Sequence, residues 1–177
     1  MSDRVTVTAP QVVALVAEQF PQWAHLPVRP VALSGWDNYT FHLGDTMKAR
    51  LPSAAGYVGQ VEKENTALPQ LAPLLPLPIP SPVAVGRPGA GYPFPWSVYE
   101  WIDGDIVTPG AVADHTGFAT DLAGFLNALH RADTRFGPPA GAHSFHRGGD
   151  LRVYDRDTRA TIAQLSDRID GALALAI

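Results

Sequence analysis

The chain has no cysteine among its 177 residues. That absence excludes a disulfide framework and a thiolate metal site together. It also has no unbroken apolar run of about 18 residues, the length a membrane-spanning helix needs. Prolines interrupt every candidate. The start, "MSDRVTVTAPQ", lacks the apolar stretch of a secretory signal. Positive charge is scarce: 13 Lys and Arg against 17 Asp and Glu leave a net charge of −4. No basic field is therefore available for nucleic acid or an anionic membrane surface. These absences leave a cytoplasmic protein, with neither nucleic acid nor membrane as partner, as the expectation. No segment repeats at a fixed period.

Hydrophobic residues make up 46% of the chain and charged ones 17%, the balance of a globular protein. The length suits one domain, or two small lobes, with a real core. The excess is in proline, 17 residues, many of them in mid-chain. Thr8 caps a first helix with Pro10 in its first turn, Val12, Val13, Leu15, Val16 and Phe20 follow at helical spacing, and Pro21 stops it. "VRPVALSG" (28–35) is β-rich, with Pro30 marking an edge. "NYTFHLG" (38–44) and "DTMKARLP" (45–52) alternate as strands, with Gly44-Asp45 as a hairpin turn between them. From Ser53 to about Leu75 the pattern is helical, with Pro69 and Pro73 kinking or ending it. "LPLPIPSP" (75–82) is an extended connector. "VAVGR" (83–87) and "PWSVYEWI" (95–102) are further strands, and "DGD" (103–105) ends the β-rich half. A helix over about 113–132 carries the stripe Leu122, Phe125, Leu126 and Leu129. A Gly/Pro-rich loop (134–150) and one or two short helices close the chain.

Two cations, Lys48 and Arg50, stand on one face of a half-buried strand. In the helix that follows, Val61, Leu68, Leu71 and Leu75 form an apolar seam, and Glu64 stands at the position completing it. A carboxylate buried alone there would cost several kcal/mol. Pairing it with Arg50 explains both anomalies, while a solvated edge position would explain each separately.

The segments "LSGWDNYTFHLGD", "KARLP", "VEKENTALPQLAPLLPLPIPSPVAVGRP" and "YPFPWSVYEWIDGD", extended by "FLNALHRADT", resemble the aminoglycoside phosphotransferase family, which includes macrolide phosphotransferases. The resemblance implies an α+β fold: a protein-kinase-like small lobe (1–101), then a hinge and an incomplete helical large lobe (102–177). By it, Arg50 of "RLP" matches the phosphate-orienting cation and Glu64 its helix partner. Lys48 competes with Arg50, because spacing alone does not decide between them. The turn Ser34–Asn38, with Gly35, Asp37 and Asn38, matches the loop over the phosphates. Only one of the glycines of a G-x-G-x-x-G loop is present there. The main chain at Tyr99–Ile102, with Glu100, Trp101 and Ile102, matches the hinge that binds the purine. The implied cofactors are ATP or GTP with Mg, and the implied partner is a small molecule offering a hydroxyl.

The family's catalytic loop, H-G-D-x-x-x-x-N, has only a decoy here. In "HRGGDLRVYD", His146, Asp150, Leu151 and Asp155 miss its spacing, and no Asn follows Asn127. The expectation is therefore a chain without a catalytic Asp, whose metal ligands would lie past Ile177. Two alternatives stand beside a kinase portion: a catalytically inactive nucleotide- or partner-binding module, and a non-functional fragment. The uncovered stripe on the 113–132 helix would favour self-association. His143 and His146 lack a third ligand, His130 reads as a packed or capping residue, and Trp96 and Trp101 read as core aromatics. Asp103 and Asp105 read as a solvated hinge.

Overall fold

The computed structural model describes residues 4–33, 35–108, 110–133, 135, 137–141, 144 and 146–176. Ser34 and His143, named above, lie outside the described residues. Cα packing divides the chain into two units, Met1–Pro138 and Pro139–Ile177.

In the first unit, α1 (Ala9–Gln19) starts where the Thr8 hydroxyl accepts the Gln11 N–H at 3.4 Å. It ends at Phe20, whose N–H reaches the Val16 carbonyl just before Pro21. Its apolar positions, Val12, Leu15 and Val16, are buried. They pack on one face of an antiparallel sheet built from β1 (Val28–Pro30), β2 (Asn38–Leu43), β3 (Met47–Pro52), β4 (Pro82–Gly86) and β5 (Trp96–Glu100), in the order β1-β2-β3-β5-β4. Side chains alternate across a pleated strand, so register assigns the faces. Phe41, Leu43, Ala49, Leu51, Trp96 and Val98 join α1 in the core. Thr40, Lys48, Arg50, Ser97 and Tyr99 belong to the alternate set, with Thr40 opposite Arg50, Arg50 opposite Ser97, and Lys48 opposite Tyr99.

Geometry requires glycine at two positions of the sheet. Gly44 has φ +64° and opens the β2–β3 loop, the left-handed region where side chains are strained. At Gly86 a Cβ would lie 2.2 Å from the Trp96 indole.

Several expectations need correction. The β2–β3 loop has three residues, Gly44–Thr46, because Leu43 pairs with Met47. The Thr46 carbonyl is used elsewhere, accepting the Trp101 N–H at 2.8 Å. β1 is only three residues long. The helical segment after β3 starts as a 3-10 turn (Ala55–Tyr57), and α2 proper is Gly59–Leu71. It runs through Pro69 without stopping there. Pro69 lies in the last turn, where its missing N–H removes a single bond, to the Asn65 carbonyl. Of the α2 seam only Val61 is buried, while Leu68 and Leu71 line an open cavity. α3 is His115–Arg131, capped by Asp114 accepting the Gly117 N–H, and none of its residues is buried.

The second unit holds α4 (Asp155–Gln164) and α5 (Gly171–Ala176), which pack against each other. The Asp150 side chain caps the short 3-10 turn before α4 by accepting the Arg152 N–H.

Candidate functional site

The strand pair β2–β3, the neighbouring β5 and helix α2 bring one polar cluster together. Arg50 projects from β3 and its Nη1 donates to Glu64 Oε2 of α2 at 2.5 Å. The Tyr99 hydroxyl of β5 donates to the same oxygen at 2.7 Å. Side-chain exposure is 29% for Arg50 and 21% for Glu64, so the pair is shielded from full solvent screening. Glu64 thus satisfies its charge by two donors from two strands, which answers the question its place on the seam posed. One residue on, Asn65 donates to the Ser97 hydroxyl at 2.6 Å and to the Val61 carbonyl at 2.7 Å. This ties α2 to β5 a second time.

Burial pushes the Tyr99 phenol pKa well above its ordinary value, and the Glu64 charge adds to the shift. The phenol is held as a hydrogen-bond donor. Lys48 behaves differently from Arg50. Its Nζ lies 5.6 Å from the Trp101 ring centroid, and the Trp101 ring lies against His42, tilted by 47° with centroids 4.1 Å apart. Desolvation lowers its ammonium pKa, and repulsion from Arg50 lowers it further, against the pull of Glu64. Geometry therefore distinguishes the two cations: Arg50 bears the carboxylate, and Lys48 rests on the aromatic pair.

Beside Arg50 lies a cleft of about 270 Å³ lined by Gly35, Trp36, Asp37, Asn38, Thr40 and Arg50. The predicted loop residues and the predicted cation share this cleft, and Glu64 joins them through Arg50. Glu100, Trp101 and Ile102 do not line it. They continue β5 beyond Tyr99. In that segment the Glu100 N–H is taken by the Ser81 carbonyl and the Trp101 N–H by that of Thr46. Among the described residues the Ile102 N–H has no partner.

The decoy segment is occupied with local bonding. Asp150 pairs with Arg152, which holds its carboxyl below the usual range. Asp155 pairs with Arg159 one helical turn on, with the same effect. His146 sits in a turn with φ +57°. Among the described residues no group of three or more His, Asp or Glu side chains comes together as a metal ion would need. No helix among them is long and apolar enough to cross a membrane.

Sequence reasoning missed the Tyr99 hydroxyl, the Asn65–Ser97 bond and the Lys48–Trp101–His42 cluster. Alternation places Tyr99 and Trp101 on one face of β5. Which residue of β3 stands opposite is a matter of register, and register is not written in either strand alone.

Comparison with known proteins agrees with this architecture. A family model described as the phosphotransferase enzyme family (APH) matches residues 28–176. Among solved structures, a GDP complex of a variant aminoglycoside 2'-phosphotransferase superposes with a TM-score of 0.69 at 20% identity, covering 94% of this chain and 55% of the other. An ADP-bound aminoglycoside 2''-phosphotransferase gives 0.60 at 16% identity, covering 93% and 53%. A streptomycin–ATP ternary complex of another gives 0.56 at 15% identity, covering 96% and 56%. The chain thus spans about half the length of the solved structures it matches. No curated protein matches it. With most of its length matched by the family model, and an antiparallel sheet and helices in the kinase-like arrangement of those structures, the chain belongs to the phosphotransferase enzyme family.

Proposed function

We propose that this chain is the nucleotide-binding portion of a small-molecule kinase, one that passes the terminal phosphate of ATP or GTP to a hydroxyl of an aminoglycoside, macrolide or similar acceptor. The observation that carries the reading is the Arg50–Glu64 pair, closed by Tyr99. A guanidinium fixed from behind by a carboxylate is preorganised to meet phosphate oxygens without reorienting. The residues present fit a nucleotide. Gly35, Asp37 and Asn38 flank the phosphate side with Arg50, and the Ile102 N–H, without a partner among the described residues, suits a purine ring acceptor beyond Tyr99. Residues 1–101 would form the nucleotide lobe, with 102–177 the hinge and first helices of a second lobe. The bound nucleotide would supply the phosphoryl group. These residues would bind it, orient it and neutralise its charge. Magnesium does not fit the described residues, which gather no acidic cluster, and no step of the reading runs through a metal.

The supporting experiment is calorimetric titration of the chain with GTP and ATP. Saturable binding that weakens in Arg50→Ala, by more than in Lys48→Ala, is expected. Binding indifferent to Arg50 would overturn the assignment.

A second reading, an inactive nucleotide- or partner-binding module, is favoured by the engagement of Asp150 and Asp155 with neighbouring arginines. It predicts nucleotide affinity without turnover in any longer form of the protein.

A further inference from the structure

The loop over the cleft contains a single glycine, Gly35, so backbone freedom does not give it its shape. Ser53 does part of that work. It is fully buried at the end of the β3 segment that carries Arg50. Its hydroxyl donates to the Trp36 carbonyl at 2.9 Å, and its N–H donates to the Asp37 carbonyl at 2.8 Å. Its own carbonyl accepts the Val5 N–H at 2.9 Å, which brings the segment before α1 to the same point. From there the neighbouring Arg4 lays its guanidinium 4.0 Å from the centroid of the Trp36 ring. Trp36 is otherwise 72% exposed. The loop is therefore held from below by a buried serine and from above by a cation.

The peptide plane shows what this achieves. Among the described residues all the peptide bonds are trans, so a carbonyl and the next N–H point in opposite directions. Drawing the Trp36 carbonyl onto Ser53 turns the Asp37 N–H away from Ser53. Among the described residues that N–H has no partner. A backbone donor fixed at the cleft beside Arg50 suits an anionic oxygen.

We propose that Ser53 and Arg4 are positioning residues for the Trp36–Asn38 loop, holding it in the form that receives a nucleotide's phosphates; this rests on the nucleotide reading above. Ser53 is too deeply buried to touch a ligand, so any effect it has on binding must pass through the loop. Arg4 acts on the same loop from its exposed side.

The test compares GTP and ATP with guanosine and adenosine, titrated into wild type, Ser53→Ala and Arg4→Ala, with melting temperatures measured alongside. Losing the one hydroxyl bond should raise the triphosphate Kd about fivefold in Ser53→Ala. Losing the stacked cation should raise it about two- to threefold in Arg4→Ala. Nucleoside Kd should not change in either, because the purine side is untouched. An unchanged triphosphate Kd in a folded Ser53→Ala overturns the proposal and leaves the nucleotide reading standing. Equal weakening of nucleoside and triphosphate also overturns it, because that is general damage. If Ser53→Ala does not fold, Arg4→Ala decides by the same criteria. A wild-type chain that binds neither triphosphate nor nucleoside fails at the earlier step, and both readings fall.

Discussion

Glu64 accepts from Arg50 and Tyr99 through a single oxygen, Oε2. Removing the carboxylate leaves a part-buried guanidinium and a buried phenol without their acceptor. Glu64→Ala should therefore cost about 2 kcal/mol of stability, read by urea unfolding, and weaken triphosphate binding if the nucleotide reading holds. Glu64→Gln keeps an acceptor and should cost less. A melting temperature unchanged in Glu64→Ala would mean that the pair contributes nothing. The tyrosines give a pH test. Burial raises the phenol pKa of both Tyr92 and Tyr99. The folded state then keeps protons that the unfolded state releases above about pH 10. The stability tied to these groups is fully present below that pH and is lost above it. Ultraviolet titration should show the phenolate signals of these two among the five tyrosines appearing only as the protein unfolds. Lys48 has the opposite sign. Its ammonium pKa is lowered in the fold, so the unfolded chain binds more protons between that lowered value and 10.5, and stability rises with pH through this window. Lys48→Met should be more stable than wild type at pH 7, with the margin narrowing as the pH nears 10.5.

Among the elements, the segment after β5 has the most divided roles. The Trp101 N–H belongs to the β2–β3 loop through Thr46, whereas the Ile102 N–H has no partner among the described residues. Proline at 101 should thus weaken the fold itself. Proline at 102 should leave the melting temperature nearly unchanged and abolish purine binding. Equal nucleotide affinity in a folded Ile102→Pro chain would count against a hinge at this point. The alternation of β2 and β3 was legible because one face of each is buried; the carboxylate on an apolar seam raised the Arg50–Glu64 pair but left a solvated edge open, and the family resemblance of the strand and helix segments favoured the pair. The length of the β2–β3 loop was not, since Gly44-Asp45 satisfies a two-residue turn as well as the opening of a three-residue one. Nor was the extent of burial along α2. Leu68 and Leu71 carry a core pattern, yet they face a cavity of about 380 Å³ shared with Leu129 and Ala132 of the α3 region. Periodicity reports which face is apolar and is silent about how completely it is covered.

At the scale of the whole molecule, the roles needed for turnover are unevenly supplied. On the proposed nucleotide reading, Arg50, the Trp36–Asn38 loop and the Ile102 amide would supply the binding roles. Asp150 and Asp155 are tied to arginines. The 177-residue chain alone should show no phosphoryl transfer above background to any acceptor in a coupled assay. Turnover lost on Asp150→Asn would overturn that expectation. The α3 stripe bears on solution behaviour: Leu122 is 44% and Leu126 42% exposed, beside a half-buried Phe125. Light scattering on a size-exclusion column should show concentration-dependent association, reduced in Leu122→Gln/Leu126→Gln. The Thr46–Trp101 bond has a kinetic consequence as well. Two neighbouring amides, one locked into the sheet and one open, should differ in deuterium uptake by orders of magnitude. The boundary between the slow and fast regimes of the chain would then be one peptide wide, and a purine seated on Ile102 would move that boundary by a single residue.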